Sequence, residues 1–238
     1  MNYAVIFAGG VGTRMHMGPI PKQFLEVSGK PIIIHTILNF EKHPHIDGIC
    51  VICVEGWLEK LKDMVKKEGI EKVHWIVEGA KTGQQSIYKG LKAIYDQSRD
   101  PQNDIVLIND GVRPFVEGDI IEKNIQCVKE YGSSVTVCPV PETIVEVNQE
   151  NEVEHIPIRS RCYLSKAPQG FWLQEIMDAH HKAIEEERFD CTNSAELMRR
   201  YGHSLYVVYD SDKNIKITTP TDLDIMKSLM EREVQNEA

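Results

Sequence analysis

The sequence predicts an α/β fold with a largely parallel sheet. Short apolar runs alternate with longer stretches whose apolar residues recur at helical spacing. The runs ICVICV at 49–54 and DIVLI at 104–108 are continuous rather than alternating, the pattern of strands buried inside a sheet. The length of 238 residues fits one large domain, 1–238, with room for an excursion.

The first run, AVIF at 4–7, breaks into AGGVGTRM at 8–15, and PKQF follows at 21–24. A helix is expected over 32–40, where Ile33, Ile34, Ile37, Leu38 and Phe40 are apolar. The run 49–54 is the second core strand. Residues 58–67 form an amphipathic helix carrying Leu58, Leu61 and Val65. A third strand at 73–77 precedes a helix at 85–95, striped by Ile87, Leu91 and Ile94. The strand 104–108 ends in NDGVRP at 109–114. A helix at 119–131 and a strand at 135–139 continue the alternation. In such sheets ligands sit beyond the carboxyl ends of the strands. The glycine-rich turn and Asp110 both follow a strand, so both are expected to face one crevice.

The pattern changes at 142–155. Residues 143–147 and 153–158 are β-like on either side of the polar turn NQENE, and prolines 139, 141, 157 and 168 flank them. This predicts a β-hairpin arm at about 139–161, outside the alternation and suited to pairing with a second subunit. Helices are then expected at 171–186, 192–201 and 222–233, with short strands at 205–208 and 214–217.

The formal charge of −9 argues against broad binding to nucleic acid or an anionic membrane. Single cations such as Arg14, Lys22, Arg159 and Lys216 stand out against that background. No charged leader precedes a long apolar stretch, and no run approaches the roughly 20 residues a bilayer span needs. Cys50 and Cys53 have CxxC spacing, but they fall inside a buried strand and no second close pair completes a zinc site. The six cysteines are expected to be thiols in a reducing cytoplasm.

A buried strand that ends in a glycine-rich turn carrying cations is a phosphate site on physical grounds. Glycines remove Cβ atoms and let backbone N–H groups close on an anion. Arg14 and Lys22 add positive charge beside that turn. AGGVGTRM is not the dinucleotide fingerprint GxGxxG, and it lacks the Gly-Lys-Ser/Thr of a Walker A loop. Asp110 at a strand end suits magnesium, which takes one or two carboxylates together with substrate phosphates. A turn cap, or an ion pair with Arg113, is the alternative role for Asp110. His35 and His74 are expected to be packed or at the surface. His180 and His181 are expected on a solvated helix face. No serine–histidine or cysteine–histidine arrangement stands out.

The motifs AGGVGTRM (8–15), PKQF (21–24), HTILNF (35–40), QSIYKGL (85–91), NDGVRPFV (109–116) and PETIVEV (141–147) occur in that order. Arg159, then Ala167-Pro168-Gln169 and NIKITTPTDL (214–223), complete the series. Over almost the whole chain they resemble the cytidylyltransferases of the methylerythritol-phosphate and ribitol-phosphate group. The resemblance implies a Rossmann-like nucleotidyltransferase fold with a protruding β-hairpin arm, and a homodimer with interlocking arms. It implies that CTP and a polyol phosphate react with Mg2+ to give a CDP-polyol and pyrophosphate.

It also implies residue roles. Arg14, Lys22 and Lys216 hold the triphosphate and the transition-state charge. Ala8, Gly9, Gly10 and Gly12 cradle phosphates and base, and Ala80 and Ser86 read the cytosine. Asp110 binds Mg2+ near the ribose and phosphates. Thr143 and Arg159 reach the acceptor phosphate in the partner's site. The chain departs from the family pattern at Gly83, where the family carries arginine, and at Asn109, where it carries histidine. Ala167 replaces threonine, and Thr192-Asn193-Ser194 replaces a Thr-Asp run. AGGxGTRM, GVRP, TIVE and Ile156-Pro157-x-Arg159 with Tyr163 resemble the ribitol-phosphate branch. D-ribitol 5-phosphate is therefore the expected acceptor, and 2-C-methyl-D-erythritol 4-phosphate the alternative. Two further classes compete: an inert nucleotide-binding module, and an enzyme that couples UTP or ATP to a sugar phosphate.

Overall fold

The structure, a computed structural model, describes residues 1–10 and 20–236. In chain order its strands are β1 (Asn2–Ala8), β2 (Glu26–Val27), β3 (Lys30–Pro31), β4 (Gly48–Cys53), β5 (Val73–Glu78) and β6 (Ile105–Asp110). Then come β7 (Ser133–Pro139), β8 (Glu146–Val147), β9 (Val153–His155), β10 (Tyr163–Trp172) and β11 (Val207–Tyr209). The helices are α1 (Ile32–Glu41), α2 (Leu58–Lys67), α3 (Gly83–Tyr95), α4 (Gly118–Tyr131), α5 (Leu173–Glu185), α6 (Ser194–Arg200) and α7 (Pro220–Asn236). None of the described helices is long and apolar enough to cross a membrane.

The central sheet has the order β11-β7-β10-β6-β1-β4-β5. Strands β6, β1, β4 and β5 are parallel neighbours, and β11 is parallel to β7. Only β10 is reversed, running antiparallel to both β6 and β7. Helices cover both faces, which is why the strands read as continuous apolar runs. Ile33 and Ile37 of α1, Leu61 of α2 and Ile121 of α4 pack on one face. Leu91 of α3, Ile176 of α5 and Met198 of α6 pack on the other. Burying each such side chain contributes about 1.5–3 kcal/mol. With both faces covered, the ends of β1 and β6 form the open rim, where Ala8 and Asp110 stand.

The structure corrects several expectations. Residues 163–172 form a long strand, where only a helix beginning at 171 was expected. Pro168 and Gly170 weaken the strand signal there. The chain accommodates them with a register shift between Ser165 and Gln169 opposite β7. Residues 214–217 form no strand. Ile217 N bonds Val112 O and Ile215 N bonds Lys213 O, and side chains hold the segment from the other sides. The hairpin ladder is shorter than expected, pairing Glu146 with His155 and Val147 with Val153. Around it Val145, Val147, Val153, Ile156 and Ile158 are exposed. His180 is buried, whereas His181 is exposed as expected.

Candidate active site

Asp110 closes β6, and its carboxylate is held by two cations. Arg113 Nε donates to Oδ2 at 2.8 Å, and Lys216 Nζ donates to Oδ1 at 2.7 Å. The ion pair with Arg113 noted as an alternative is therefore formed. Burial pushes the Asp110 carboxyl up, but Lys216 and Arg113 outweigh it and hold the group below the ordinary carboxylate range. Asp110 and Lys216 share a cavity of about 240 Å³ with Gly83, Gln84, His180 and Asn193.

The glycine-rich turn is anchored by a residue that the sequence did not single out. Gln23 is buried in the 3-10 turn Lys22–Phe24, and its Nε2 donates to the carbonyls of Ala8 at 2.8 Å and Gly10 at 3.1 Å. This ties Lys22 to the end of β1. Gly9 in turn meets the loop after β5: a Cβ built on Gly79 would lie 3.4 Å from the Gly9 Cα. The absence of side chains lets these two backbones touch. Gln23→Leu is expected to lower the unfolding free energy by about 1–3 kcal/mol, because two carbonyls lose their donor. An unchanged urea midpoint would show the anchor to be idle.

Thr82 caps α3 by accepting from Gln85 N at 3.1 Å. Ser86 accepts from Ala80 N at 2.8 Å and donates to Thr82 O at 2.8 Å. Ser86 therefore shapes the loop that carries Ala80. On the opposite wall, Asn193 caps α6 by accepting from Glu196 N at 2.9 Å, while Glu196 accepts from Thr192 N. Gln169 accepts from Ala195 N at 2.9 Å and ties this cap to β10. Gln84 joins α3 to the segment between α5 and α6, donating to Arg188 O and accepting from Cys191 N. The departures from the family pattern at Gly83 and Asn193 therefore line the same cavity.

His180 also faces this cavity, with its Nε2 buried and without a hydrogen-bond partner among the described residues. Its ring lies 5.6 Å from that of Tyr88. Burial, with a smaller push from His181, lowers its pKa from 6.5 to about 4. Between those two values the unfolded chain binds a proton that the native protein refuses, so stability falls as the pH drops from 6.5 towards 4. The group's contribution over that window is about 3 kcal/mol. His180→Gln should remove that part of the slope in urea titrations run across the window; an unaltered slope would assign it to other groups.

Among the described residues no cluster of three acidic, histidine or cysteine side chains forms an all-protein metal cage. Asp110 still fits a magnesium-type cation. It is one ionised carboxylate in the cavity wall, and each of its oxygens keeps a further acceptor position. Magnesium commonly completes such a site with substrate phosphates and water.

The structure thus brings Asp110 and Lys216 together and places Lys22, Ala8, Gly9 and Gly10 at the neighbouring turn. Gly12 and Arg14 lie outside the described residues. Thr143 and Arg159 stand in the arm and do not line the described cavity of their own chain. Arg159 is exposed and contacts Pro141 O at 3.5 Å. Sequence reasoning missed Gln23, Gln84 and Lys166, because their partners are backbone atoms and leave no side-chain pattern. Gln23 and Gln169 at least fall inside recognised motifs, PKQF and Ala167-Pro168-Gln169.

The family model described as 2-C-methyl-D-erythritol 4-phosphate cytidylyltransferase, IspD, matches residues 2–232. A ribitol-5-phosphate cytidylyltransferase of Vibrio parahaemolyticus is 44% identical over 231 residues, covering 97% of this chain and 96% of that protein. A 2-C-methyl-D-erythritol 4-phosphate cytidylyltransferase of Clostridium botulinum is 37% identical over 231 residues, covering 97% and 98%. Among solved structures, 4-diphosphocytidyl-2C-methyl-D-erythritol synthase from Anaerococcus prevotii superposes with a TM-score of 0.82 at 27% identity, covering 97% of this chain and 96% of that one. Sequence and fold agree over nearly the whole of this chain: the chain belongs to the IspD family of cytidylyltransferases.

Proposed function

We propose that the chain transfers the CMP group of CTP to D-ribitol 5-phosphate, giving a CDP-polyol and pyrophosphate. The observation that carries the acceptor is the 44% identity to the Vibrio parahaemolyticus and Streptococcus agalactiae relatives named for ribitol 5-phosphate, against 37% to the Clostridium botulinum relative named for methylerythritol phosphate. An oxygen of the acceptor phosphate attacks the α-phosphorus in line. The new P–O bond forms as the bond to the bridging oxygen breaks, and the electron pair leaves with pyrophosphate. Positioning and charge stabilisation do most of the work.

In this scheme Arg14, Lys22 and Lys216 neutralise the triphosphate and the charge that builds on the leaving group. Lys216 is held by Asp110 in the free protein, so a bound phosphate competes for an ammonium already in place. Ala8, Gly9, Gly10 and Gly12 approach the nucleotide through backbone, and the loop shaped by Ser86 brings Ala80 to the base. Asp110 would hold a Mg2+ ion, which supplies charge neutralisation on the phosphates when bound. Residues 1–238 act as one domain with its arm at about 139–161. The free thiols, with Cys50, Cys53, Cys138 and Cys191 buried, support a reducing cytoplasm; recovery of the native protein from an oxidising compartment would overturn that placement.

The test is pyrophosphate release from CTP with Mg2+ on a panel of acceptors. Release with ribitol 5-phosphate, and not with UTP or ATP in place of CTP, is expected. Turnover only with 2-C-methyl-D-erythritol 4-phosphate would move the acceptor to the alternative. CTP binding by calorimetry without turnover on any acceptor would leave an inert module.

The exposed apolar residues of the hairpin support a homodimer in which Thr143 and Arg159 serve the partner's site. Sedimentation should give a dimer at micromolar concentration. Mixing inactive Arg159→Ala with inactive Lys216→Ala subunits should restore part of the activity, because one mixed site keeps both residues. A stable monomer, or mixtures that stay inactive after subunit exchange, would rule this arrangement out.

A further inference from the structure

We propose that Lys166 is a positioning residue for Lys216: its ammonium gathers three backbone carbonyls of the segment 211–214 and so sets where Lys216 stands. The proposal rests on nucleotidyl transfer as the reaction, in which Lys216 acts on the triphosphate.

Residues 210–217 belong to no strand or helix, so no ladder fixes the segment that carries Lys216. Side chains hold it instead. Lys166 sits at the register shift between Ser165 and Gln169 of β10, where the chain leaves its pairing with β7. Its Nζ donates to Ser211 O at 3.0 Å, Asp212 O at 3.3 Å and Asn214 O at 3.0 Å. An ammonium has three N–H donors, and all three are used. Lys166 therefore lines the cavity without a donor left over for a substrate.

Other bonds converge on the same point. Arg113 Nη1 also donates to Asn214 O at 3.0 Å, so two cations meet at one carbonyl. Asn214 Nδ2 donates to Ala167 O and to Asp210 Oδ2, each at 2.7 Å. Two residues further on, Lys216 reaches Asp110, and Ile217 N bonds Val112 O at 2.9 Å. Asp110, Arg113 and the Asn214 carbonyl thus form a chain of contacts that the main chain from Asn214 to Lys216 closes back on Asp110. Arg113 divides its donors between Asp110 and the loop, whereas the Lys166 ammonium gives its three bonds to the loop. Two of its three carbonyl contacts are exposed, so water can replace the ammonium there. Loss of Lys166 should then cost order in the loop rather than the fold.

The experiment compares Lys166→Met, Lys166→Arg and Lys166→Ala with the wild type, using whichever acceptor the wild type turns over. Misplacing a reacting group by about 1 Å can cost about 100-fold, so Lys166→Met should lower kcat by about 10-fold to 100-fold while the KM for CTP changes little. Hydrogen exchange should quicken in peptides spanning 210–217 and nowhere else. Lys166→Arg should retain most of kcat, because a guanidinium can still donate to these carbonyls. Ethylammonium should restore part of the rate of Lys166→Ala.

Wild-type turnover by Lys166→Met, equal losses in the arginine and methionine variants, or faster exchange throughout the chain would overturn the proposal. If the wild type turns over no acceptor, the proposed reaction fails, yet the exchange comparison still decides whether Lys166 orders the loop.

Discussion

Lys216→Ala is expected to lower kcat by about 100-fold to 1,000-fold, the usual cost of removing one group aimed at developing charge. Its Nζ is already placed 2.7 Å from Asp110, at the end of a segment tied down by Arg113 and Lys166. Such pre-placed charge needs little reorganisation when the α-phosphorus is attacked. The stability of the variant should change by less than about 1 kcal/mol, because the Lys216 side chain is 41% exposed and Asp110 keeps Arg113. Steady-state kinetics and urea unfolding on the same preparation separate the two effects. A kcat within threefold of the wild type would remove Lys216 from the chemistry.

Asp110→Ala should lose both activity and stability. Arg113 is only 8% exposed at its side chain, and among the described residues Asp110 is its one carboxylate partner. Removing one member of a buried pair commonly costs about 3–5 kcal/mol, because a charge is left uncompensated. The remaining bond from Arg113 to Asn214 O puts the expected loss near the lower end. The pH dependence follows from the depressed pKa of Asp110. A carboxyl with a lowered native pKa contributes stability above its unfolded value, near about 3.9, and loses it as the pH falls through the native value. The gap between wild type and variant should therefore persist down to about pH 4 and close only below it. A gap that closed near pH 6 would mean that Asp110 is not held ionised by its two cations.

The parallel half of the sheet was legible because ICVICV and DIVLI have no polar face to hide. Strand β10 was not, because SKAPQGFW carries the proline and glycine of a loop and becomes a strand only between β6 and β7. Asp110 was legible from its place after a buried run, and Lys216 from the NIKITTPTDL motif. Lys166 was not, since its acceptors are main-chain carbonyls 45, 46 and 48 residues away. His180 carried a signal that adjacency to His181 masked. It extends by one turn the stripe of Leu173, Ile176 and Met177, which points into the core.

The reversal of β10 has a consequence for how this protein can vary. A strand that runs against its neighbours brings its beginning, not its end, to the rim where the others finish. Tyr163 accordingly lies opposite Pro139 at the end of β7, and Gln169 opposite Ile108 near the end of β6. The chain therefore leaves the sheet for the hairpin and re-enters it on the same rim as Asp110. Changes in the length or sequence of that excursion alter the surroundings of the reaction without shifting any strand of the scaffold. Under the proposed arrangement, in which the arm meets the acceptor, new acceptors can be explored in a segment whose redesign leaves the nucleotide side intact.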